Sequence, residues 1–222
     1  MSKKLDEFKS MLDQFHEVTI PHINQDINLR FNLALHLFDN LPLILLVRNG
    51  KEAQIALETT YSSLEGLVKD CPKLFQVYQN QSNIFLESSK EIAEIMLKEC
   101  LMNEFPSEIV QQEIQQKLEE INELKNVVNP KIRKMIDEFL ITLLELLKQV
   151  KEKPSFDGIK YLKSQFEVLN QLLQKLQESC RSSYERYLGL FETFINQLHV
   201  SDKIIEILND NFLKTFTTGT KN

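Results

Sequence analysis

Apolar residues recur every three or four positions along most of the chain, which is the spacing of a helix with one buried face. The clearest stripe follows Pro154 and keeps this rhythm for about forty residues, with one irregular step after Cys180. It predicts one long helix, from about 159 to 199, whose heptad-like seam unwinds locally near Cys180. The seam comprises Ile159, Leu162, Phe166, Leu169, Leu173, Leu176, Cys180, Tyr184, Tyr187, Phe191, Phe194 and Leu198.

A second long pattern runs from about 107 to 153 and contains Asn129 and Pro130 near its middle. Proline has no amide hydrogen to donate, so we expect a proline-kinked pair of helices here. The second of the pair is apolar over more than half of its circumference, which is more than one partner helix could bury. We therefore predict that it is the central helix, with Phe139, Leu143 and Leu147 in the core.

The rest of the chain is divided by prolines and glycines into shorter helical patterns. Pro42 is expected to interrupt the second of them, leaving 43–47 as a short buried helix before Gly50 or as a strand of a hairpin. We favour the helix because nothing after Gly50 alternates with period two. Cys71 and Pro72 are expected to end another helix. The patterns predict helices near 2–18, 21–40, 51–70, 73–103 and 202–216, with a frayed tail at 217–222.

The 73–103 helix is predicted to have a stripe whose middle is weakly apolar because it contains Gln81 and Ser88. The stripe comprises Leu74, Val77 or Tyr78, Gln81, Ile84 or Phe85, Ser88, Ile92, and Ile95 or Met96. Together these patterns predict an all-α, elongated multi-helix bundle. A helix from 159 to 199 is about 60 Å long at ~1.5 Å per residue, whereas a compact globule of this length is roughly 45 Å across. We expect a single domain over 1–222, with possible sub-bundles at 1–70 and 73–216.

Composition and charge restrict the class of partner. The 222 residues include 26 basic and 32 acidic side chains, a formal net charge of −6, and no basic run, which argues against nucleic-acid binding. The sequence shows no signal peptide, and no stretch of 18 apolar residues long enough to span a membrane. Three cysteines without a Cys-x-x-Cys pair fit a reducing compartment, so we expect a cytoplasmic protein with no membrane partner.

Residues that could carry chemistry are scarce, and we expect no catalytic residues, metal or cofactor. Asp13 and His16 have the spacing of half a bundle-type metal site, but the other half is missing. Cys180 lies in the apolar stripe and is interpreted as a small buried hydrophobe. Lys131, Arg133 and Lys134 stand where a helix is expected to begin, an unfavourable place for cations, which indicates a partner for them.

The function predicted from these features is a non-enzymatic interaction protein: a scaffold, an adaptor or a structural subunit that binds other protein chains. The candidate contact residues are Tyr187, Phe191, Phe194 and Leu198, because the long helix extends beyond the shorter helices that could cover it. Dimerisation through this seam is one form of the hypothesis. Two alternatives remain: a membrane-curvature protein similar in outline to a BAR dimer, and a carrier with an apolar cavity lined by Phe31, Phe38 and 43–47.

Overall fold

A computed structural model describes residue 13 and residues 20–47, 50–102, 108–152 and 155–197, and all of these except Glu152 and Ser155 are helical. They form an all-α multi-helix bundle, as expected from the apolar spacing, and contain no strand. Helix α1 is Ile20–Val47, α2 is Gly50–Met102 and α4 is Phe156–Gln197. Helix α3 consists of Glu108–Glu123, a π-helical turn Leu124–Val128, and Asn129–Lys151. The helices predicted near 2–18 and 202–216, and the tail, lie outside the described residues.

The long helix α4 is unbroken through Cys180, which confirms the prediction from its apolar stripe. It begins at a polar cap, where the hydroxyl of Ser155 accepts a hydrogen bond of 3.2 Å from the backbone N–H of Gly158. Every seam residue from Ile159 to Tyr187 is buried, and so are Ser183 and Leu190. Ser183 lies three positions after Cys180, so the buried residues keep steps of three and four in this part of the helix. The irregular step predicted from the sequence arose because Tyr184, and not Ser183, was counted as the next residue of the seam.

Two prolines that were expected to separate helices lie inside them instead. Helix α1 continues past Pro42 to Val47, so 43–47 is helical, and α2 continues through Pro72. A proline inside a helix costs about 3 kcal/mol, because one hydrogen bond is lost and the ring crowds the preceding turn. Cys71 and Phe75 on either side of Pro72 are buried. Burial of one large apolar side chain contributes roughly 1.5–3 kcal/mol, so packing outweighs the local cost.

Tyr78, Phe85, Ile92 and Met96 of the predicted stripe of α2 are buried, as expected, but at three other positions the buried residue is the next one along the chain. Phe75, Ser82 and Ser89 face the core, whereas Leu74, Gln81 and Ser88 are only partly buried. The buried residues from Cys71 to Met96 alternate steps of three and four, which is the register of a helix packed along its whole length. Two serines therefore occupy core positions, and the expected weak middle of the helix is a polar part of the core.

Helix α3 buries one face only, so its expected central position is wrong. Ile132, Ile136, Phe139, Leu143, Leu146 and Val150 are buried, whereas Ile141 and Leu144 are 57% and 43% exposed. Leu147, an expected core residue, is half-buried. The helix also runs on through Asn129, so Lys131 and Lys134 do not lie at a helix N-terminus. The dipole argument for a partner of these cations therefore does not apply.

The chain forms two compact units whose limits fall inside the helices. One, here called the Phe unit, comprises Ile20–Gln76 and Lys134–Ser179. The other, here called the Tyr unit, contains Val77–Arg133 and the chain from Cys180 onward. Its described parts, besides Asp13, are residues 77–102, 108–133 and 180–197.

The Phe unit is a four-helix arrangement in which α1 contacts both α2 and α4. Arg30 on α1 binds Asp70 on α2 at 2.5 Å, and Lys163 on α4 binds Asp39 on α1 at 2.5 Å. The core between the helices is built of rings. Phe31 stacks on Phe166 with centroids 4.3 Å apart, and Phe38 and Phe139 extend the cluster. Phe75 of α2 contacts Phe139 of α3 edge-on.

The described part of the Tyr unit packs α2, α3 and α4 around hydroxyl-bearing side chains. Tyr184 lies edge-on against Phe85 of α2, with ring centroids 5.6 Å apart, and against Tyr187 on its own helix. At the surface, Arg186 of α4 pairs with Glu123 of α3 at 2.9 Å and with Glu120 at 3.5 Å. Lys125 of α3 pairs with Glu87 of α2.

Candidate functional site

A second apolar stripe runs along the outer side of α3 in the Phe unit. Ile141 and Leu144 are exposed, while Leu140 and Leu147 on the same side are half-buried. Residues 140, 144 and 147 are separated by four and three positions, so they lie along one line of the helix. Isolated exposed apolar residues are ordinary on a protein surface, whereas a row of them at helical spacing is typical of a contact surface.

This stripe leads to a surface cavity of about 610 Å³ between α2 and α3. Lys151, one helical turn beyond Leu147, lines the cavity together with Val150. On the opposite wall, α2 contributes Leu57 and Tyr61, together with its first residue, Gly50. The walls are mainly apolar, and Glu58 and Lys151 provide one charge of each sign. The stripe and the cavity together form what we call the α2–α3 groove.

Tyr187, the first candidate contact residue from the sequence, packs inside the Tyr unit instead. Its side chain is 1% exposed, and its hydroxyl donates a hydrogen bond to Asn129 Oδ1 on α3. The phenol therefore has an internal partner and is not offered to another chain. The side chains of Phe191 and Phe194, and the whole of Leu198, lie outside the described part of the chain, so their expected partner contacts stay predictions.

Tyr187 belongs to a buried cluster of polar groups. Tyr78 of α2 donates a hydrogen bond of 3.0 Å to the backbone oxygen of Cys180. Burial raises the pKa of Tyr78, Tyr184 and Tyr187 above the ordinary value of tyrosine, because a phenolate would lose its hydration there. The three phenols are thus neutral at physiological pH and act as hydrogen-bond donors and packing surfaces.

The two described cysteines, Cys71 and Cys180, are buried free thiols. Burial raises the pKa of each to about 12. A thiol must lose its proton to attack a substrate or bind a metal, so both side chains are chemically inert at neutral pH. This agrees with the interpretation of Cys180 as a small hydrophobe.

Of the residues expected to line an apolar cavity, Phe31 and Phe38 belong to the core, whereas the side chains of residues 43 and 45–47 lie outside the described part of the chain. Both rings are completely buried and pack on Phe166, so they form core rather than the wall of a lipid site. Among the described residues, no group of three His, Cys, Asp or Glu side chains is placed to hold a metal ion. No described helix is both long enough and apolar enough to cross a membrane.

Sequence reasoning found the apolar residues of the groove but assigned them to the core. The available signal was the excess of apolar residues on α3, where one row at 132, 136, 139, 143, 146 and 150 suffices for the interior. A second row then has to lie at a boundary or outside. Comparison of the chain with protein-family models, with curated proteins and with solved structures finds no match.

Proposed function

We propose that this protein is a non-enzymatic scaffold, adaptor or structural subunit that binds another protein chain through the α2–α3 groove of the Phe unit. The observation that carries the proposal is the outer row of α3, where Ile141 and Leu144 are about half exposed beside the mainly apolar cavity. The free buried thiols, Cys71 and Cys180, favour a reducing compartment, and we assign the protein to the cytoplasm on that ground.

The expected occupant of the groove is an amphipathic helix of another chain. A groove between two neighbouring helices accepts a third helix whose apolar residues recur at three-and-four spacing. The row at 140, 144 and 147 presents matching spacing, and the cavity at its end can receive one large apolar side chain from the partner. A second copy of this chain is the special case in which partner and host are identical.

We favour the α2–α3 groove over the seam that begins at Tyr187 because the two surfaces differ in their exposure to solvent. Tyr187 is buried in its own unit, whereas Leu144 is exposed in the described structure. Removal of exposed apolar area from water contributes roughly 25 cal/mol per Å². Large apolar side chains at the centre of an interface commonly supply much of its binding energy.

The test is the substitution Leu144→Glu, alone and combined with Ile141→Glu. Both side chains are exposed, so we expect thermal unfolding followed by circular dichroism to change little. A carboxylate in the middle of an apolar interface has no partner, so association should be lost. Association is measured by sedimentation of the purified protein and by quantitative mass spectrometry of what the native protein captures.

The matched control is Val168→Glu on α4 of the same unit, where the valine is 59% exposed, close to the 57% of Ile141. We expect this variant to keep every associated chain that Leu144→Glu loses. Self-association that disappears only in the groove variants identifies a second copy as the partner, and selective loss of another protein identifies a heteromeric one. The proposal is wrong if groove and control variants retain the same partners and the same oligomeric state.

A further inference from the structure

Helix α1 exposes a row of leucines at the surface of the Phe unit. Leu29 and Leu33 are 70% and 56% exposed, and Leu37, four positions further along, is half-buried. Because the steps are of four residues, the three side chains lie on one ridge of the helix. The row shares no residue with the α2–α3 groove. It is therefore a second apolar surface of the same unit.

The charged side chains of α1 are all paired within its own unit. The helix contains three charged residues among 28. Arg30 pairs with Asp26 at 3.2 Å and with Asp70 of α2 at 2.5 Å. Asp39 pairs with Lys163 of α4 at 2.5 Å. The leucine row therefore lies in a surface whose charges are compensated, and depletion of charged residues is typical of the centre of a protein–protein interface.

The polar residues beside the leucines are mainly amides. Gln25, Asn28 and Asn32 are exposed and follow one another at steps of three and four, so they lie along one flank of the row. An amide side chain both donates and accepts hydrogen bonds. A row of amides can therefore bond to an identical row, whereas a row of like charges would repel its copy.

These properties favour a second copy of this chain as the molecule that covers α1. The chain has a net charge of −6, so two copies repel each other through any face with an excess of acidic residues. The outer face of α1 avoids this repulsion. A protein with charged groups around its apolar centre would find no unpaired opposite charge on α1, whereas an identical copy brings leucines and amides that need none.

We propose that α1 is the interface of a homodimer in which two α1 helices cross in antiparallel directions, with a two-fold axis next to Leu33. Because Leu33 is the middle of the row, it meets its own copy at the axis, and Leu29 meets Leu37 of the partner subunit. Ridges of four-residue spacing pack into each other at a crossing angle of about −50°. The contact is thereby confined to the middle of α1.

The dimer adds valence to the scaffold. It carries two α2–α3 grooves, since the groove residues take no part in the α1 contact. If each groove holds a protein chain, as proposed above, the dimer joins two such chains. A partner that itself contains two binding helices is then held more tightly than by one groove, because its second contact is intramolecular. The dimer itself does not depend on the function proposed for the groove.

The test is sedimentation equilibrium of the full-length protein over a range of concentrations. We expect a dimer with a Kd of about 10 μM or below. Leu33→Glu places two carboxylates against each other in an apolar contact, so the Kd should rise about tenfold or more. Circular dichroism of this variant should show unchanged helicity, because Leu33 is more than half exposed. A wild-type protein that is monomeric up to about 100 μM, or a dimer that Leu33→Glu leaves intact, overturns the proposal.

Two control variants separate this surface from the rest of the unit. Val168→Glu, on α4, and Leu144→Glu, in the α2–α3 groove, should both remain dimeric. Loss of the dimer in Leu144→Glu alone would place the contact in the groove and contradict the assignment to α1. The Leu33→Glu monomer should still capture any other protein that Leu144→Glu loses. Failure of the α1 dimer and failure of the groove are thus distinguishable.

A charge-pair experiment tests the position of the axis. Leu33→Lys alone should associate as weakly as Leu33→Glu, because like charges meet at the axis. An equimolar mixture of the two variants should recover the dimer, since each Glu then faces a Lys. A substitution that merely disturbs folding would not be rescued in this way. No recovery in the mixture means that Leu33 does not meet its own copy, and the proposed arrangement is wrong.

Discussion

The Phe unit and the Tyr unit share helices α2, α3 and α4, but their interiors are built from different side chains. In the Phe unit the core is a cluster of phenylalanine rings, which need only shape and contact. In the Tyr unit, three phenols and three serines are buried among apolar side chains, and each of these hydroxyl groups needs a hydrogen-bond partner. An apolar core contains no group that gains or loses a proton, so its stability depends on packing alone. The stability of a polar core also depends on the protonation state and the position of each buried polar group.

The two units also handle proline differently. Pro72 lies in a regular α-helical stretch of the Phe unit, while Pro130 lies two residues after the π-helical turn of the Tyr unit. The first keeps the regular register and is held by buried neighbours. The second lies beside a change of register, in which the N–H of Asn129 bonds the carbonyl of Leu124, five residues back. Packing of buried neighbours therefore compensates for the proline in one unit, and a change of helical register lies beside it in the other.

The largest expected difference is in alkaline solution. Because the pKa values of Tyr78, Tyr184 and Tyr187 are raised in the folded state, the unfolded chain releases these protons first as the pH rises above about 10. Each phenol that stays protonated then lowers the free energy of unfolding by about 1.4 kcal/mol per pH unit. Below about pH 10 these phenols are protonated in both the folded and the unfolded chain, so they do not make the free energy of unfolding depend on pH. They lower it only at more alkaline pH.

This alkaline prediction is measured by phenolate absorbance and far-ultraviolet circular dichroism in one titration. The absorbance contributed by the three buried tyrosines should rise together with loss of helicity. Tyr184→Phe removes one of them and should move the midpoint to higher pH. Complete phenolate formation in a protein that keeps its helicity would show that these side chains are accessible to water and would break the comparison.

The next largest effect is expected for Phe166→Ala in the Phe unit. Phe166 is completely buried and contacts Phe31 and Phe38, so its removal leaves a cavity and should lower the free energy of unfolding by about 3–5 kcal/mol. Urea titration followed by circular dichroism measures this. Val168→Ala, at an exposed position of the same helix, is the control and should change the stability by less than about 0.5 kcal/mol.

The prolines give the third comparison. Pro72→Ala restores an amide hydrogen in a regular helix and removes ring crowding, so stability should increase, by up to about 3 kcal/mol. Pro130→Ala should give a smaller gain, because the neighbouring π-helical turn already relieves the crowding. Thermal unfolding of both variants, measured in parallel, shows which substitution increases the stability more. A larger gain at Pro130 than at Pro72 would mean that the turn is strained rather than relaxed.

Tyr187→Phe tests the polar core with a smaller change. The variant keeps the ring and removes the hydroxyl, which leaves Asn129 Oδ1 without its donor. We expect a loss of about 1–2 kcal/mol, as for other buried hydrogen bonds that lose one partner. Tyr161→Phe, at an exposed tyrosine of α4, should have little effect. Equal stabilities of the two variants in urea would show that the bond contributes nothing.

The smallest effect is expected at the surface of the Tyr unit. Arg186 pairs with Glu120 and Glu123, and these carboxylates raise its pKa. Partly exposed ion pairs contribute less than about 1 kcal/mol, and salt screens them. Arg186→Gln should therefore cost little at low salt and less at high salt. A cost that is independent of salt would indicate packing of the side chain rather than charge.

Much of the helical architecture could be predicted from the sequence, because helix formation depends on neighbours three and four positions apart. The stripe of α4 from Ile159 to Tyr187 is the best example, and its continuity through Cys180 follows from the absence of any breaker. The prolines misled the prediction, since their local cost is visible in the sequence and the packing that outweighs it is not. Ser82 and Ser183 were missed as core residues because their type is usually found outside.

What the sequence by itself determined is the all-α class, the length of α4 and the identity of most buried apolar residues, since these depend on local periodicity and on the hydrophobic effect. Only the tertiary structure decided which of two apolar rows on α3 faces inward, that Tyr187 finds its partner in Asn129, and that α3 changes register in a π-helical turn before Pro130. Those outcomes depend on residues far apart in the chain. Two rows of equal hydrophobicity are equivalent until neighbouring helices cover one of them.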